Sequence, residues 1–337
     1  MDKKITIKQI AQMAGVSVAS VSYVVNGKKG VGEETQKKVM EIIEKTNYTP
    51  NVNSQRLILK KSFNLIVALD EKESPINNFF YAEIMNSIVE SAAKLRYNIV
   101  LITVGDKYEG SRLNTTLLQH NADGIIFLGD IKPKFAEEIS KTNTPYVIID
   151  SQKTNPPYPC VRADYKQSSR IGVRHLVENG HKRIALIGSD KVPDYFEWIY
   201  EGYIDVLNEE SIKIKKEWIQ SNAFDAQGSE ICIENILMCK ERPTAVFCSS
   251  DIVAICVMNY LQKRGYSIPQ DFSVCSIDDI SMSKYHYPAL TTIHIDKKAM
   301  GEIAVNMLDK LINGEDTDTD ISVTSEILVK RNSVKAL

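Results

Sequence analysis

Chemistry that needs paired cysteines, clustered histidines or glycine-rich phosphate loops has no footing in this chain. Its six cysteines, Cys160, Cys232, Cys239, Cys248, Cys256 and Cys275, include no C-x-x-C pair, and none has a histidine at zinc spacing. Such thiols read as reduced and mostly buried rather than as metal ligands. Cys248 and Cys275 lie in apolar, strand-like runs. The five histidines (His120, His175, His181, His286, His294) are scattered. No G-x-S-x-G, P-loop or G-x-G-x-x-G motif occurs. We therefore expect no catalytic residue, no metal and no cofactor. No apolar run approaches the length of a membrane span. The opening "MDKKITIKQIAQMAG" is charged, then amphipathic, without the apolar core of a secretory signal. The expected location is the cytoplasm, with no membrane partner.

What is present is ordinary globular composition, 43% apolar and 25% charged, in 337 residues. That length exceeds one small core and predicts two or three domains. The net charge of −2 hides an asymmetry. Residues 1–60 carry 10 Lys and Arg against 5 Asp and Glu, and the remainder carries 31 against 38. A small basic head on an acidic body suits an anionic polymer, although a solvated surface alone would also show such numbers.

The head resolves into three short helices. Thr6-x-x-Gln9 is a capping box opening a stretch with Ile7, Ile10, Ala11 and Ala14 on one face. Gly15 ends it. Ser17 can cap a second helix, 18–25, with Val18, Val21, Val24 and Val25 at helical spacing, closed by Asn26-Gly27. A third helix from about Gly32 to Asn47 has Val39, Met40, Ile42 and Ile43 as its apolar stripe. Two short helices joined by a tight glycine turn, with a third beside them, make a helix-turn-helix. The second helix must fit a major groove about 12 Å wide, which explains its small residues. Ser17, Ser20 and Ser22 supply hydroxyls, and the helix N-terminus supplies N–H groups for phosphate. Thr6, Asn26, Lys28 and Lys29 are further phosphate-contact candidates. A plain three-helix bundle is the bland alternative; the basic charge and exposed small residues favour double-stranded DNA.

"TIKQIAQMAGVSVASVSYVVNG", followed by "EETQKKVMEIIEKTNYTPN", resembles the N-terminus of the LacI/GalR family of bacterial transcription regulators. Ser20 and Gln9 are mild departures from the family pattern. Tyr23, where the family usually has Arg, is a larger one. The resemblance places Val18, Ala19 and Tyr23 at base-reading positions. It also makes "YTPNVNSQRLILKKS", 48–62, a hinge segment whose Leu57 matches a minor-groove wedge. Pro50 stops the third helix, and Asn53 and Gln55 stand where the family has smaller residues that form helix more readily. A flexible linker with an incidental leucine is the other reading.

Beyond residue 62 short apolar runs alternate with helical patterns. Strand candidates are 64–69, 98–104, 124–129, 146–150, 183–188, 245–250 and 273–278. β-branched runs separated by helices predict parallel sheets buried on both faces. There are too many strands for one sheet, so the fold class is α/β, a three-helix head plus a core of two lobes. Ligands in such sheets bind at the carboxyl ends of the strands. Asp70, Asp150, Ser250 and Asp278 stand at such ends. The segments "NNFFYAEIMNSI", "ADGIIFLG", "HLVENGHKRIALIG", "PTAVFCSSDIVAICVMNYLQKRGYSIPQDFSVCSIDD" and "PALTTIHID" resemble the family's periplasmic-binding-protein type I core. The resemblance implies a helix-turn-helix domain over 1–48, a hinge over 49–61, and an effector-binding and dimerisation core over 62–337. Lobe one would be 62–163 with 291–321, and lobe two 164–290 with 322–337. "NGEDTDTD", 313–320, reads as a surface loop. Without a leucine-heptad tail the expected assembly is a homodimer.

Carried over residue by residue, the family's effector positions fall on Asn78, Phe80, Asp150, Phe224, Ser250 and Asp278. Carboxylates and aromatic faces suit a sugar. Phe79 reads as core, and Asp251 as either a helix cap or a ligand residue. One departure stands out. The family commonly has an Arg three residues before the Gly of R-x-x-G-[FY]; here the motif is "IYEGY" and the position is Ile199. Tyr195, Phe196, Trp198 and Tyr200 crowd around it, and Arg162 is a candidate replacement. The functional expectation is a repressor whose operator affinity a small ligand controls. The alternative is control by a protein co-regulator or a nucleobase. A secreted solute-binding protein would share the body but would not need the head.

Overall fold

The computed structural model describes residues 5–25, 30–46, 48, 61–70, 78–104, 122–131, 133–154, 156–190, 193–223, 225–323 and 327–337. The chain divides into two compact units, Met1–Ser62 and Phe63–Leu337.

The first unit holds helices α1 (Ile7–Ala14), α2 (Val18–Val25) and α3 (Glu33–Thr46). The capping box forms: Thr6 accepts from the Gln9 N–H, and the Gln9 side chain accepts from the Thr6 N–H at 2.8 Å. Gly15 ends α1 at φ 68°, a left-handed conformation that suits glycine. Ser17 Oγ accepts from the Ser20 N–H at 3.0 Å and so caps α2. Ile10, Ala14, Val21, Val24 and Val39 form the buried centre. Met40, expected in the apolar stripe of α3, is instead exposed. Val39, Ile42 and Ile43 form one face, and Met40 lies about 100° round the helix from Val39.

The second unit contains two six-stranded sheets. Its elements are β1 (Asn64–Asp70), α4 (Phe79–Lys94), β2 (Asn98–Val104), β3 (Gly124–Leu128), α5 (Pro133–Ser140), β4 (Tyr146–Ile149), β5 (Cys160–Ala163), α6 (Tyr165–Glu178), β6 (Ile184–Ile187), α7 (Pro193–Glu209), β7 (Ile219–Gln220), α8 (Ala226–Leu237), β8 (Ala245–Cys248), α9 (Asp251–Lys263), β9 (Ser273–Asp278), β10 (Thr291–His294), α10 (Lys297–Ile312), β11 (Asp320–Val323) and β12 (Ile327–Val329). The first sheet runs β11-β5-β4-β3-β1-β2, all parallel. The second runs β12-β10-β9-β8-β6-β7 and is parallel except where β12 meets β10. Every residue of β3, β6, β8 and β9 is buried, as helices on both faces require.

The lobe boundary differs from the expected one. The expected lobe one includes residues 291–321, yet β10 pairs with β9, Thr291 opposite Cys275 and His294 opposite Asp278. The chain rejoins the first sheet only with α10, which packs on α4, β3 and β4. β11 joins β5 and extends that lobe to Val323, so the acidic loop ends where Asp320 starts a strand. β5, β7, β10 and β11 are two to four residues long and mix polar with apolar side chains, so they show no apolar run.

Two glycines let helices touch. A Cβ on Gly202 would lie 2.3 Å from the Lys166 carbonyl oxygen, so α7 rests directly on α6. One on Gly301 would lie 2.9 Å from the Ile84 carbonyl oxygen, where α10 meets α4. "HLVENGHKRIALIG" forms the end of α6, a turn and β6, as read. Its His181 is buried against Thr244 and the Lys335 carbonyl, and burial holds its pKa down. Among the described residues no helix is long and apolar enough to cross a membrane, and no cluster of three His, Cys, Asp or Glu could hold a metal ion.

Candidate functional site

Helix α2 divides into two faces. Val21 and Val24 point into the head core, while Val18, Ala19 and Tyr23 are exposed and Ser22 is half-buried. Positions 18, 19, 22 and 23 share one outward strip at helical spacing. Thr6 and Ser17 are exposed at the helix starts. Tyr23 is held from below: a Cβ built on Gly30 would lie 3.5 Å from two of its ring carbons. Gly30 has φ 125°, so the ring passes over a backbone that favours glycine. Asn26, Lys28, Lys29 and Leu57 lie outside the described residues.

In the second unit, residues from both sheets meet at the strand ends. Asp150 follows β4 in a left-handed conformation, φ 64°, and is buried. Its carboxylate accepts from Tyr81 Oη of α4 at 2.9 Å and from Tyr165 Oη of α6 at 2.5 Å. Tyr165 belongs to the other lobe, so this carboxylate spans the two. Tyr165 meets Tyr195 edge to face, centroids 4.7 Å apart, and Tyr195 donates to the Ser249 carbonyl at 2.8 Å. Burial, followed by Asp150, pushes the Tyr165 phenol well up.

Asp278 ends β9 at φ 120° and is also buried. Among the described residues its carboxylate accepts one hydrogen bond, from the Asp251 N–H at 3.4 Å. Burial, then the nearby Asp251, push its pKa well above the usual carboxylate range. Asp251 contrasts with it. Fully buried, it accepts from Ser276 Oγ at 2.6 Å, Ser283 Oγ at 2.5 Å, Thr292 Oγ1 at 2.5 Å and the Ile280 N–H at 2.9 Å. Every lone-pair direction is used. Asp251 is therefore neither cap nor ligand residue; Ser250 caps α9, and Asp251 ties the start of α9 to β9, β10 and the 281–284 turn.

Lys297, at the start of α10, is buried. Its Nζ donates to the carbonyls of Asp278 at 2.5 Å, Asp279 at 3.2 Å and Ile295 at 3.2 Å, and pairs with Glu83 of α4 at 3.4 Å. Glu83 also accepts from Ser281 N–H and Oγ at 2.9 and 2.7 Å. This is a second link across the lobes. Asp279, φ 52°, turns away to Arg331 at 2.5 Å and His294 at 2.9 Å. Burial would raise its pKa, but these two partners prevail and hold it at about 2.

Asn78 caps α4, its Oδ1 accepting from Phe80 and Tyr81 N–H. Phe80 is buried beneath Lys297, whose Nζ lies 5.8 Å from the ring centroid. Phe79, read as core, is exposed, because the helix turns Phe80 inward instead. Phe224 lies outside the described residues. Ile199 is fully buried. Arg162 does not take the place of the missing guanidinium: it donates to the Lys153 carbonyl and Asp320 and lies over Trp198. Arg162, Asp164, Lys166, Trp198 and Glu201 instead line, together with Tyr165, a cavity of about 430 Å³. The sequence reading missed Tyr81, Glu83, Tyr165 and Lys297. Tyr81 follows the N-cap by three residues and Tyr165 follows the first lobe crossing, which are the available signals.

The model of the bacterial regulatory proteins of the lacI family matches residues 6–51, and that of the periplasmic binding protein-like domain matches residues 173–334. The catabolite control protein A of Priestia megaterium is 31% identical over 335 residues, 98% of this chain and 99% of that protein. The chain belongs to the LacI family. The ribose operon repressor of Haemophilus influenzae is 30% identical, again over 98% of this chain and 99% of that protein. Among solved structures, the lac repressor dimer bound to operator and an anti-inducer is 26% identical, with a TM-score of 0.79 over 99% of this chain and 100% of that one. As a LacI-family protein, the chain is a DNA-binding transcription regulator. Its head is the family's helix-turn-helix, and its second unit is the family's two-lobed core.

Proposed function

We propose that this regulator represses transcription as a homodimer in the cytoplasm, and that a small polyhydroxylated ligand held between the lobes sets its affinity for a palindromic operator. The observation that carries the ligand reading is Asp278: buried, strained at φ 120°, and, among the described residues, bonded once at 3.4 Å. Strain and an under-bonded buried carboxylate persist where function maintains them. Asp150, on the other sheet, completes a pair of buried acids spanning the lobes, and Asn78, Phe80 and Ser250 are the further ligand contacts in this reading. A ligand bridging the lobes changes their angle and so couples to DNA.

In the head, Val18, Ala19 and Tyr23 read base edges; Thr6, Ser17, Ser22, Asn26, Lys28 and Lys29 hold phosphates; Leu57 wedges the minor groove. Dimerisation uses the face where the 285–287 turn lies along α9. His286 meets Asn259, Gln262 donates to the Tyr287 carbonyl, and Ile252, Met282, Tyr285 and Tyr287 are all exposed. Large apolar side chains exposed in this way suit a subunit contact.

The test is selection of bound duplexes from a random DNA pool, with and without candidate sugars. A palindromic consensus that one sugar weakens is the expected outcome. Because binding is linked, operator must change ligand affinity by the same factor. Equal ligand affinity with and without operator would sink the coupling, and a response only to an added protein would replace the sugar.

A further inference from the structure

We infer that the cavity at the lobe crossing is a second ligand site, and that it takes a zwitterion of the α-amino acid class with a large apolar side chain. The inference goes beyond the reading of the cleft and does not depend on which ligand the cleft takes.

The cavity has a volume of about 430 Å³, within the range of small-molecule sites. Among the described residues, none of Asn78, Phe80, Asp150, Ser250 and Asp278 lines it, so it is distinct from the proposed cleft site. Both lobes contribute walls. β5 and β11 of lobe one supply Arg162 and Ser322, which stand opposite each other in the strand register and share a sheet face. α6 and α7 of the other lobe supply Lys166, Trp198 and Glu201. Trp198 and Glu201 are three residues apart and so lie on one helix face. Asp164, at the crossing itself, caps α6 with one carboxylate oxygen, which accepts from the Gln167 N–H at 2.8 Å.

The polar groups of this wall are of both signs and only partly used. Arg162 donates to the Lys153 carbonyl at 2.9 Å and to Asp320 at 2.5 Å. Among the described residues its other three N–H groups have no acceptor. Ser322 Oγ has no partner among the described residues either. Glu201 accepts from Lys166 at 2.9 Å through one oxygen, so it and Asp164 each keep a second oxygen unbonded among those residues. Lobe one thus offers donors, the crossing and the other lobe offer acceptors, and the Trp198 ring lies 5.4 Å from the Arg162 guanidinium. A ligand that suits both ends carries an anion and an ammonium on one small centre, as an α-amino acid does. Its carboxylate pairs with Arg162 and Ser322, its ammonium with Asp164 and Glu201, through charge-assisted bonds, and its side chain covers the indole. A phosphate or a dicarboxylate would meet like charge at Asp164 and Glu201, and a polyamine would meet it at Arg162 and Lys166. A neutral sugar would give these groups weaker partners than a charged ligand does.

The experiment uses the full chain with the standard L-amino acids and, for each that binds, its decarboxylated amine and its deaminated acid. Thermal shift finds the responders, and calorimetric titration measures affinity. At least one amino acid with a large apolar side chain is expected to raise the melting temperature. Loss of either charged group is expected to weaken its binding about tenfold or more, the contribution of one charge-assisted bond. Trp198→Ala is expected to abolish binding. Glu201→Gln changes a side chain that is 44% exposed, where an ion pair adds little to folding. It is expected to lower affinity for the amino acid about tenfold and to leave that of the deaminated acid unchanged. Asp278→Asn, in the cleft, is expected to leave the amino acid's affinity unchanged. No responding amino acid, an amine or acid that binds as tightly as its parent, or binding lost in D278N but kept in W198A and E201Q would overturn the inference. Operator binding by the same preparation separates the two readings. A protein that grips DNA and ignores amino acids loses only this inference; one that binds amino acids but no DNA loses the functional reading and keeps this site.

Discussion

The main-chain N–H of Asp251 donates to the carboxylate of Asp278 at 3.4 Å, and the two buried acids are satisfied to opposite degrees. Asp278 has its pKa raised by burial. Such a group weakens the fold as pH rises from about 4, where the unfolded acid ionises, toward the folded value. Asn cannot ionise. Asp278→Asn should therefore stabilise the protein at pH 7 by about 1–3 kcal/mol, the cost of an under-bonded buried group, with a smaller gain at pH 4.5. Urea melts at both values check this; an unstabilised variant at pH 7 would refute it. Asp251→Ala should do the reverse and cost about 3 kcal/mol or more, because it strands three buried hydroxyls and an N–H.

Tyr165→Phe removes the hydroxyl that links α6 to Asp150 across the lobes. A hydrogen bond to a charged group contributes about 1.5–3 kcal/mol. The expected result is a protein that still folds but has looser lobes and a changed ligand affinity. Lys297→Met should act at the second link, freeing Glu83 and the Asp278 carbonyl. Small-angle scattering with and without ligand, and operator affinity, read both variants. Unchanged values in both would mean the links are incidental.

The Asp279, Arg331 and His294 group predicts an acid limb. Asp279 is held at about 2, below the unfolded carboxylate near 4. Its contribution is present above about pH 4 and lost as pH falls toward 2. The shift corresponds to about 2 kcal/mol. Arg331→Met should lower stability at pH 7 and flatten the loss between pH 4 and 2. An acid limb as steep as in the parent protein would contradict the assignment.

Tyr23 should set operator preference. Selection with Tyr23→Arg is expected to move the half-site toward a guanine at the facing base pair, since Arg pairs with guanine in bidentate fashion. Tyr23→Ala should relax specificity there by about 1–3 kcal/mol while leaving the salt dependence of binding in place. If Tyr23→Ala selects the same operator with equal stringency, the ring is only a spacer over Gly30.

Tyr285→Asp with Tyr287→Asp should yield monomers in sedimentation, because two charges replace apolar surface at the proposed contact. Operator affinity should fall with the dimer. A dimeric double variant would place the interface elsewhere.

The described part of the head was legible from its sequence. Local signals wrote it: a capping box, a glycine at a left-handed position, a serine cap and valines at helical spacing. Met40 was misplaced, by one step round the helix. The strands of the second unit were legible in continuous apolar runs such as β3, β6 and β8, and not in β5, β7, β10 and β11, whose few residues mix polar with apolar side chains. The cleft was legible as strand ends, which marked Asp150 and Asp278. Its phenols and its lysine were not, because Tyr81, Tyr165 and Lys297 reach the site from helix starts distant in sequence.

By itself the sequence determined the helix-turn-helix, the α/β alternation, and the absence of a guanidinium at Ile199, since each is a property of neighbouring residues. Only the tertiary structure decided which of the two acids is saturated with hydrogen bonds. Asp251 and Asp278 are alike in sequence, each beside a strand end and a polar neighbour. Folding brings three hydroxyls and an N–H to one and a single weak donor to the other. That difference arises from β9, β10 and the 281–284 turn meeting at one point, and no local pattern encodes it.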